Sequence, residues 1–295
     1  MIKLALTDMD DTLVAAGNDG VSEHAIDAIH AMLEAGLRFG PVSGRQPGAM
    51  DWMFKGHAEC HATGAFSNGQ VICADGEIVA AHALDPSALM RLADYLEAET
   101  DDTCLKVYDL GADFMGTGGA FVTGDSKRIE RVLGSGSNAW LTGEEAPCRA
   151  EVGDGPIYKA NIWSARSREE LMRLRDRIAA EVPELELVFP NNKVRLFDLL
   201  PAGWNKGRAV EELARILGVS MDEVAVFGDS DNDLPMIEAV PNSVAVANAN
   251  EAVAAAARWH IGSAADDAVA DALLDIAHAA KTGVLPAFMR LRPAC

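Results

Sequence analysis

Short apolar runs alternate with amphipathic segments in the first third of the chain. The mainly apolar run 2–6 ends in acidic residues, which indicates a buried strand. A helix is predicted to begin after Ser22, a capping residue, and to end at Gly36. Its apolar stripe consists of Ile26, Ile29 and Leu33. A second strand is predicted over 37–42, so this segment predicts two parallel strands joined by a right-handed helical connection.

The last third of the chain returns to this pattern of buried strands and helices. Its predicted elements, in chain order, are a helix over 206–217, strands over 224–227 and 243–247, and helices near 250–258 and 266–280. The two ends of the chain therefore contribute to one α/β fold with a Rossmann-like parallel sheet.

The middle of the chain has a different pattern. One helix is predicted to begin at Pro86 after the capping residue Asp85, and a capping box over 167–170 opens another. Four strand-like runs accompany them, at 105–108, 158–163, 185–189 and 194–200. Two helices with about four strands predict a small α+β unit inserted into the parallel-sheet domain.

Length and composition agree with this division. A chain of 295 residues suggests one large domain or two moderate ones, and 49% hydrophobic with 24% charged residues is typical of a globular protein. We therefore predict a core domain of residues 1–84 and 198–295, with a cap domain of residues 85–197 inserted between its two segments.

The charge balance excludes several classes of partner. With 25 Lys and Arg against 45 Asp and Glu, the net charge is −20, which repels nucleic acids and anionic membranes. No run approaches the about 18 apolar residues of a membrane-spanning helix, and the first residues contain no cleavable apolar region. Five scattered cysteines without a Cys-x-x-Cys pair favour free thiols. We therefore expect a cytoplasmic protein that binds neither nucleic acid nor membrane.

Polar clusters follow four of the predicted strands, where open α/β sheets bind their ligands. They are Asp8–Thr12, Ser43–Arg45, Lys206 and Gly228–Asp233. Isolated Asp-rich turns often only cap helices, but four such clusters in this order favour a functional site. Carboxylates just beyond a buried strand are costly unless they are paired or bound to a metal. The two acidic clusters therefore indicate a cation, and their hard oxygen ligands indicate Mg²⁺.

In this order the clusters resemble the motifs of the haloacid dehalogenase (HAD) superfamily of hydrolases. The longer strings resemble its Cof-type, sugar-phosphatase-like subgroup. They are Ser43-Gly44-Arg45, Ser67-Asn68-Gly69, Asn205-Lys206-Gly207, Gly228–Asp233 and Asn248-Ala249. The resemblance covers essentially the whole chain and implies a cap that sets substrate specificity. Two residues depart from the common pattern, because Asp11 stands where many members have Gly and Ser43 where Thr is commoner.

The resemblance implies an Mg²⁺-dependent phosphatase that acts on small phosphorylated metabolites, with sugar phosphates as the favoured class. Asp8 would be the nucleophile that forms an aspartyl-phosphate, and Asp10 the general acid and base. The implied metal ligands are the side chains of Asp8 and Asp229, the backbone carbonyl of Asp10, Asp233 through water, and Ser230. The implied phosphate donors are the Ser43 hydroxyl, the backbone N–H groups of Met9 and Gly44, the Asn232 amide and the Lys206 ammonium. Thr12 would brace the loop, and Arg45 would either bind substrate or buttress the site.

One alternative to a phosphatase stays open at this point, and two others are disfavoured. A phosphomannomutase-like phosphomutase on the same fold would return the phosphoryl group to a bound sugar. A signalling receiver or a non-catalytic phosphosugar sensor is disfavoured, because a receiver is far shorter and a sensor needs no Asp8–Asp10 pair.

One further motif collects nitrogen and sulfur ligands, over His57-Ala-Glu-Cys60-His61. A zinc site needs four ligands, and no partner pair for this motif is evident in the sequence. We therefore expect a loop with surface histidines.

Overall fold

The computed structural model describes residues 1–108, 119–134, 148, 152–153, 155–191 and 194–290, which form thirteen strands, ten α-helices and several short 3-10 helices. The strands are β1 (Leu4–Thr7), β2 (Arg38–Pro41), β3 (Gly64–Phe66), β4 (Val71–Ala74), β5 (Glu77–Ala81), β6 (Thr103–Tyr108), β7 (Gly119–Phe121), β8 (Ala160–Ser164), β9 (Leu185–Val188), β10 (Leu196–Pro201), β11 (Val224–Gly228), β12 (Asn242–Ala245) and β13 (Trp259–His260). The helices are α1 (Glu23–Glu34), α2 (Met50–Met53), α3 (Pro86–Glu99), α4 (Ser126–Leu133), α5 (Arg168–Glu181), α6 (Lys206–Leu217), α7 (Leu234–Ala239), α8 (Glu251–Ala256), α9 (Ala268–Thr282) and α10 (Ala287–Arg290).

The first of two compact units, which we call the core unit, combines Met1–Ala81 with the chain from Asn205 onward. Its described residues form a parallel sheet with the strand order β13-β12-β11-β1-β2. All four residues of β1 are buried, as expected for a strand with neighbours on both sides. This sheet and its connecting helices confirm the predicted α/β class.

Helix ends in the core unit are fixed by the residues that the sequence places there. The Ser22 hydroxyl accepts a hydrogen bond from the backbone N–H of Ala25 and so caps α1. The side-chain oxygen of Asn205 accepts a hydrogen bond from the backbone N–H of Arg208 and so caps α6, which begins at Lys206. Helix α6 ends at Gly218, whose φ of +67° is favourable for glycine. The cap of α6 therefore places Lys206 at the first position of a helix.

A three-stranded antiparallel sheet, β3-β4-β5, belongs to the same unit. A parallel bridge between Val42 and Ala65 connects the chain after β2 to β3. The turn after β3 is formed by Ser67 and Asn68, both with positive φ. Asn68 tolerates this region better than most residues do, and Gly69 follows with a φ of +91°. This turn is held on the residues that follow β2, since Asn68 donates its N–H to the carbonyl of Ser43 at 2.8 Å.

The second unit, which we call the cap unit, comprises His82–Trp204. Its described residues form an antiparallel sheet with the order β7-β6-β8-β10-β9. Side chains of α3 and α5 form one buried apolar cluster with alternate residues of β6, β8 and β10. The other residues of these strands include Cys104, Trp163 and Leu196, which pack with Ile129 and Val132 of α4. The cap unit is thus an α+β unit, with helix α4 and strand β7 in addition to the predicted elements.

The cap unit ends later in the structure than the sequence predicts. The predicted division at 197/198 falls inside β10, which pairs with both β8 and β9 and continues to Pro201. The unit therefore extends to Trp204. Lys206 follows a strand of the cap-unit sheet and opens α6, the helix that the sequence predicts from this residue.

The cysteines agree with the expectation of free thiols as far as they are described. Cys60, Cys73 and Cys104 are buried free thiols and Cys148 lies at the surface, while Cys295 lies outside the described residues. Across the described ranges, we find no helix with the length and apolar character needed to cross a bilayer.

Candidate active site

Three carboxylates converge at the carboxyl ends of the adjacent strands β1 and β11. Asp8 follows β1 directly, and its N–H donates to the carbonyl of Phe227 in β11 at 2.9 Å. Asp229 follows β11 directly, and Asp233 lies four residues further on. One carboxylate oxygen from each of the three lies within 4.8 Å of the others. The parallel pairing of β1 with β11 therefore brings together acids that are more than 200 residues apart.

Lys206 is the cation that the structure provides for this group. Its Nζ donates to Asp8 Oδ1 at 2.5 Å and to Asp233 Oδ1 at 2.6 Å. The Lys206 side chain is only 1% exposed, so both ion pairs are shielded from water. The sequence predicts a phosphate-binding role for this ammonium, and in the structure its hydrogen bonds hold two of the acids together.

The group contains three buried carboxyls and only one lysine, so their negative charge is incompletely neutralised. Burial raises the pKa of Asp8 well above its ordinary value, and Asp233 raises it further against the effect of Lys206. Burial and Asp233 together raise the pKa of Asp229 to about 7. Burial alone would lower the pKa of Lys206, but Asp233 and Asp8 raise it, so that the side chain stays an ammonium. Three oxygen donors around an incompletely neutralised site suit a hard divalent cation.

The loop after β1 curls, as the pair Asp8 and Asp10 requires if both are to face one ligand. The N–H of Asp11 donates to the carbonyl of Val14 at 2.8 Å, and a bridge joins Asp10 to Val14. Asp11 has a φ of +63°, a left-handed conformation that favours glycine and is tolerated by Asp and Asn. This conformation explains why glycine suits the position where this chain carries Asp11.

Arg45 forms a bidentate ion pair with Asp10. Its Nε donates to Asp10 Oδ2 at 2.8 Å and its Nη2 to Asp10 Oδ1 at 2.7 Å. The Asp10 side chain is 49% exposed, in contrast to the nearly enclosed Asp8. This ion pair is the contact that a buttressing role for Arg45 requires, and substrate binding by Arg45 stays a prediction.

The loop after β11 is shaped around the buried carboxylate of Asp233. Asp233 Oδ2 accepts from the N–H groups of Asp229 and Ser230, each at 3.0 Å. A Cβ at Gly228 would lie 2.7 Å from the Cβ of Asp233, so this close approach requires glycine. Thr12 donates its hydroxyl to Asp229 Oδ1 at 2.8 Å and thereby links the loops that follow β1 and β11. The brace predicted for Thr12 thus acts on Asp229.

The predicted phosphate donors lie on the same loops. Ser43 Oγ accepts from the N–H of Arg45 at 3.1 Å, and Gly44 lies between these residues. The Asn232 amide donates to Asn68 Oδ1 at 3.4 Å. The hydroxyl of Ser230, a predicted metal ligand, instead donates to Asn232 Oδ1 at 2.9 Å.

Two asparagines support these loops without having been predicted to do so. Asn68 contacts both Ser43 and Asn232, as described above. Asn250 accepts from the N–H of Val253 as the cap of α8, donates its own N–H to the carbonyl of Asp229 at 2.8 Å, and donates its amide to Asp231. Asn250 has the sequence signature of an N-cap, but its contacts with the acidic loop depend on the tertiary structure.

Comparison with protein families agrees with this geometry. A family model described as haloacid dehalogenase-like hydrolase matches residues 5–273 of the chain. The chain therefore belongs to this family, and the resemblance that its motifs predict is confirmed.

Individual relatives are similar over part or all of the chain. The 5-amino-6-(5-phospho-D-ribitylamino)uracil phosphatase YbjI of Escherichia coli strain K12 is 37% identical over 76 residues, which are 26% of this chain and 28% of that protein. The HMP-PP phosphatase of Citrobacter koseri is 32% identical over 127 residues, 38% of this chain and 46% of that protein. The matches thus span less than half the length of either relative. The solved structure of the HAD subclass IIB sugar phosphatase BT4131 has a TM-score of 0.73 at 18% identity, over 92% of this chain and 97% of that one, which shows a shared fold.

Proposed function

We propose that the protein is an Mg²⁺-dependent phosphatase that hydrolyses small phosphorylated metabolites through an aspartyl-phosphate on Asp8. The observation that carries this proposal is the pairing of two different carboxylates at one strand end. Asp8 is buried and bound to Lys206, whereas Asp10 is half exposed and bound to Arg45. A nucleophile and a proton-transfer group require these two different environments.

In the first step that we propose, an oxygen of Asp8 attacks the substrate phosphorus while the bond from phosphorus to the leaving alkoxide breaks. Lys206 binds Oδ1, so we assign the attack to Oδ2. Asp10 donates its proton to the departing oxygen, which requires that one of its two hydrogen bonds from Arg45 is given up, because a protonated oxygen cannot accept in the same way.

In the second step, water attacks phosphorus and the bond from phosphorus to Asp8 breaks. Asp10, now a carboxylate, accepts the proton of this water, and Arg45 is again placed to bind both of its oxygens. Asp8 returns to its starting state with its bond from Lys206. The same residue thus serves as acid and then as base, and inorganic phosphate is the second product.

The residues present fit a magnesium ion. The side chains of Asp8 and Asp229 and the backbone carbonyl of Asp10 would hold it, with Asp233 acting through water because its own oxygens already bind Lys206 and two backbone N–H groups. When bound, the ion neutralises charge on the phosphoryl oxygens. Ser230 is a weaker ligand in this proposal, since its hydroxyl is donated to Asn232.

Several donors of the core unit remain for the phosphate itself. We assign this role to the hydroxyl of Ser43, the backbone N–H groups of Met9 and Gly44, the Asn232 amide and the third N–H of Lys206. Since the protein has a net charge of −20, binding an anion depends on Lys206 and on the metal, which reverse the local sign.

Sugar phosphates are the first substrate class to test. The relatives named above are phosphatases of a phospho-ribityl compound, of HMP-PP and of sugars. The decisive experiment measures phosphate release with Mg²⁺ across phosphorylated sugars, nucleotides and cofactors, together with product analysis. Free phosphate with the dephosphorylated metabolite supports the proposal. A positional isomer of a hexose phosphate would identify a phosphomutase, and no turnover of any compound would contradict the proposal.

We expect Asp229→Asn to raise the Mg²⁺ concentration for half-maximal activity by about 10–100-fold or more.

The pKa of Asp229 is raised to about 7, so without metal this carboxyl stabilises the fold below its ordinary pKa and the contribution is lost as pH rises through about 7. Mg²⁺ competes with that proton. The increase in melting temperature caused by Mg²⁺ should therefore grow between about pH 5 and about pH 8 in the wild type.

The matched control is Asp231→Asn, which makes the same chemical change in the same loop. Asp231 accepts a hydrogen bond from Asn250 at 2.7 Å, and an asparagine can still accept it. This variant should keep the metal requirement and the pH trend of the wild type. Full turnover of the wild type in excess chelator after dialysis would contradict the magnesium proposal.

A further inference from the structure

A second group of metal-ligating side chains lies outside the candidate active site. The sequence places His57, Glu59 and Cys60 together without a partner, and the structure supplies His30 from α1. His30 Nε2 lies 2.8 Å from Glu59 Oε1. One ligand atom each of His30, Glu59 and Cys60 lies within 4.8 Å of the other two. The sequence alone does not indicate a site here, because His30 lies 27 residues before the motif.

His57 lies beside this group of three. Its Nδ1 lies 3.4 Å from the same Glu59 Oε1, and its ring lies edge-on to that of His30 with 5.3 Å between centroids. The remaining residue of the motif, His61, instead has its ring against Phe54 at 5.4 Å. Three ligand atoms, from His30, Glu59 and Cys60, thus lie close together, and the imidazole of His57 lies beside two of these residues.

We propose that His30, His57, Glu59 and Cys60 form a zinc site. Nitrogen, sulfur and one carboxylate oxygen are the ligands of Zn²⁺, and four of them fit its tetrahedral preference, whereas Mg²⁺ selects oxygen ligands alone. Bond lengths of about 2.0–2.3 Å place tetrahedral ligand atoms roughly 3.3–3.6 Å apart. The 3.4 Å between His57 and Glu59 has this value, whereas the 2.8 Å between His30 and Glu59 is a hydrogen-bond distance that zinc would lengthen. Binding would also require the exposed Glu59 and the partly exposed histidines to rotate toward Cys60.

The position of the cluster separates it from the active site. Helix α1 runs from the carboxyl edge of the parallel sheet back to the start of β2, and His30 lies in its second half. The segment Ala58–Cys60 precedes β3, whose far end carries the Ser67–Asn68 turn. The cluster therefore lies toward the amino edge of the strands, away from Asp8. We infer that zinc ties α1 to this segment and acts on stability.

The chain offers an internal comparison for an ordinary ion pair. His24, also on α1, has its Nε2 2.8 Å from Asp271 Oδ1, the same distance as in the pair of His30 and Glu59. A zinc site must therefore show properties that an exposed His–carboxylate pair does not have. The thiol of Cys60, which is 0% exposed, provides the distinguishing property.

The test uses the full chain, stripped with chelator and dialysed, in excess Mg²⁺ that occupies the acids of the active site. Titration calorimetry with Zn²⁺ should show one equivalent bound. The melting temperature should rise with added Zn²⁺ to a plateau. Titration with Co²⁺ should show thiolate-to-cobalt charge-transfer absorption. Cys60→Ser should abolish that band, and His30→Gln should weaken binding by more than the about 10–100-fold typical of outer-shell losses.

His24→Gln is the matched control and should bind zinc like the wild type. His30 is partly exposed, so its substitution keeps the test decisive if Cys60→Ser fails to fold. The proposal is overturned if no tight equivalent binds, if the charge-transfer band is absent in the wild type, or if His30→Gln binds zinc as well as His24→Gln does.

Discussion

Replacing Asp8 with asparagine is expected to reduce phosphate release by about 10⁵–10⁶-fold. The amide keeps the shape of the side chain, and the hydrogen bond from the backbone N–H of residue 8 to the carbonyl of Phe227 is unaffected. The neutral amide, however, is no nucleophile toward phosphorus. The measurement is the initial rate with the best substrate of the panel and with an aryl phosphate. Mass spectrometry of the same sample excludes conversion of the asparagine back to aspartate.

The matched control for this variant is Asp11→Asn, on the same loop. Asn tolerates the φ of +63° at this position, and the proposed mechanism gives Asp11 no role. Its activity should stay within about threefold of the wild type, as expected for a substitution outside the chemistry. Thermal unfolding of both variants separates lost catalysis from lost folding. An Asp8→Asn enzyme that is fully active and free of deamidation would refute the covalent mechanism.

The convergence of the acids was predictable from the sequence because it depends on local patterns. Buried runs that end in acids identify β1 and β11, and parallel strands present their carboxyl ends at one edge of a sheet. The motif spacing then places Asp8 and Asp229 at that edge. The curl of the loop after β1 was also predictable, because Asp8 and Asp10 on an extended chain would point in opposite directions.

Contacts between distant side chains were not predictable in the same way. Thr12 and Asp229 are 217 residues apart, and their hydrogen bond depends on the exact packing of two loops. His30 and Glu59 meet for a similar reason, since α1 must first pack beside the segment before β3. A single sequence contains the donors and acceptors for such pairs but does not specify which of them meet.

Helix α4 shows how a buried charge can hide an element from sequence analysis. Arg128 in this helix is only 7% exposed, although arginine side chains normally face the solvent. Its guanidinium is bound by Glu97 at 2.8 Å and by the hydroxyl of Thr100 at 2.6 Å. Both partners lie at the end of α3 or just beyond it, so the burial of Arg128 follows from tertiary contacts. The spacing of Ile129 and Val132 and the capping residue Asp125 are helical signals in themselves, but a charged residue on the buried face obscures them.

The ion pair of Arg45 with Asp10 bears directly on the mechanism. The sequence predicts Arg45 either as a substrate ligand or as a buttress, and its bidentate ion pair with Asp10 is consistent with the second role. A carboxylate held in this way is oriented before substrate arrives, which lowers the cost of placing it for proton transfer. The consequence is that a substitution at Asp10 should affect proton transfer more than it affects the binding of substrate.

Replacing Asp10 with asparagine should slow both half-reactions by about 10²–10⁴-fold, because it removes the proton donor and acceptor. The backbone carbonyl of residue 10 is kept, and so is one side-chain oxygen for Arg45. An aryl phosphate has a good leaving group and needs little help from an acid, so formation of the phosphoenzyme should be slowed less than its hydrolysis. The phosphoenzyme should therefore accumulate, with a burst of about one equivalent per active site.

The measurement is rapid quenching followed by mass spectrometry. The peptide that contains Asp8 should gain about 80 Da, the mass of one phosphoryl group, in the Asp10→Asn enzyme. Asp8→Asn should give neither burst nor adduct, and the double variant should behave like Asp8→Asn. In a single turnover in isotopically labelled water, the label should enter the released phosphate and not the carboxyl of Asp8, since water attacks phosphorus. If Asp10→Asn shows reduced turnover without any phosphoenzyme, while its substrate affinity is unchanged, direct attack by water replaces the two-step mechanism, and Asp10 becomes the base of a single displacement.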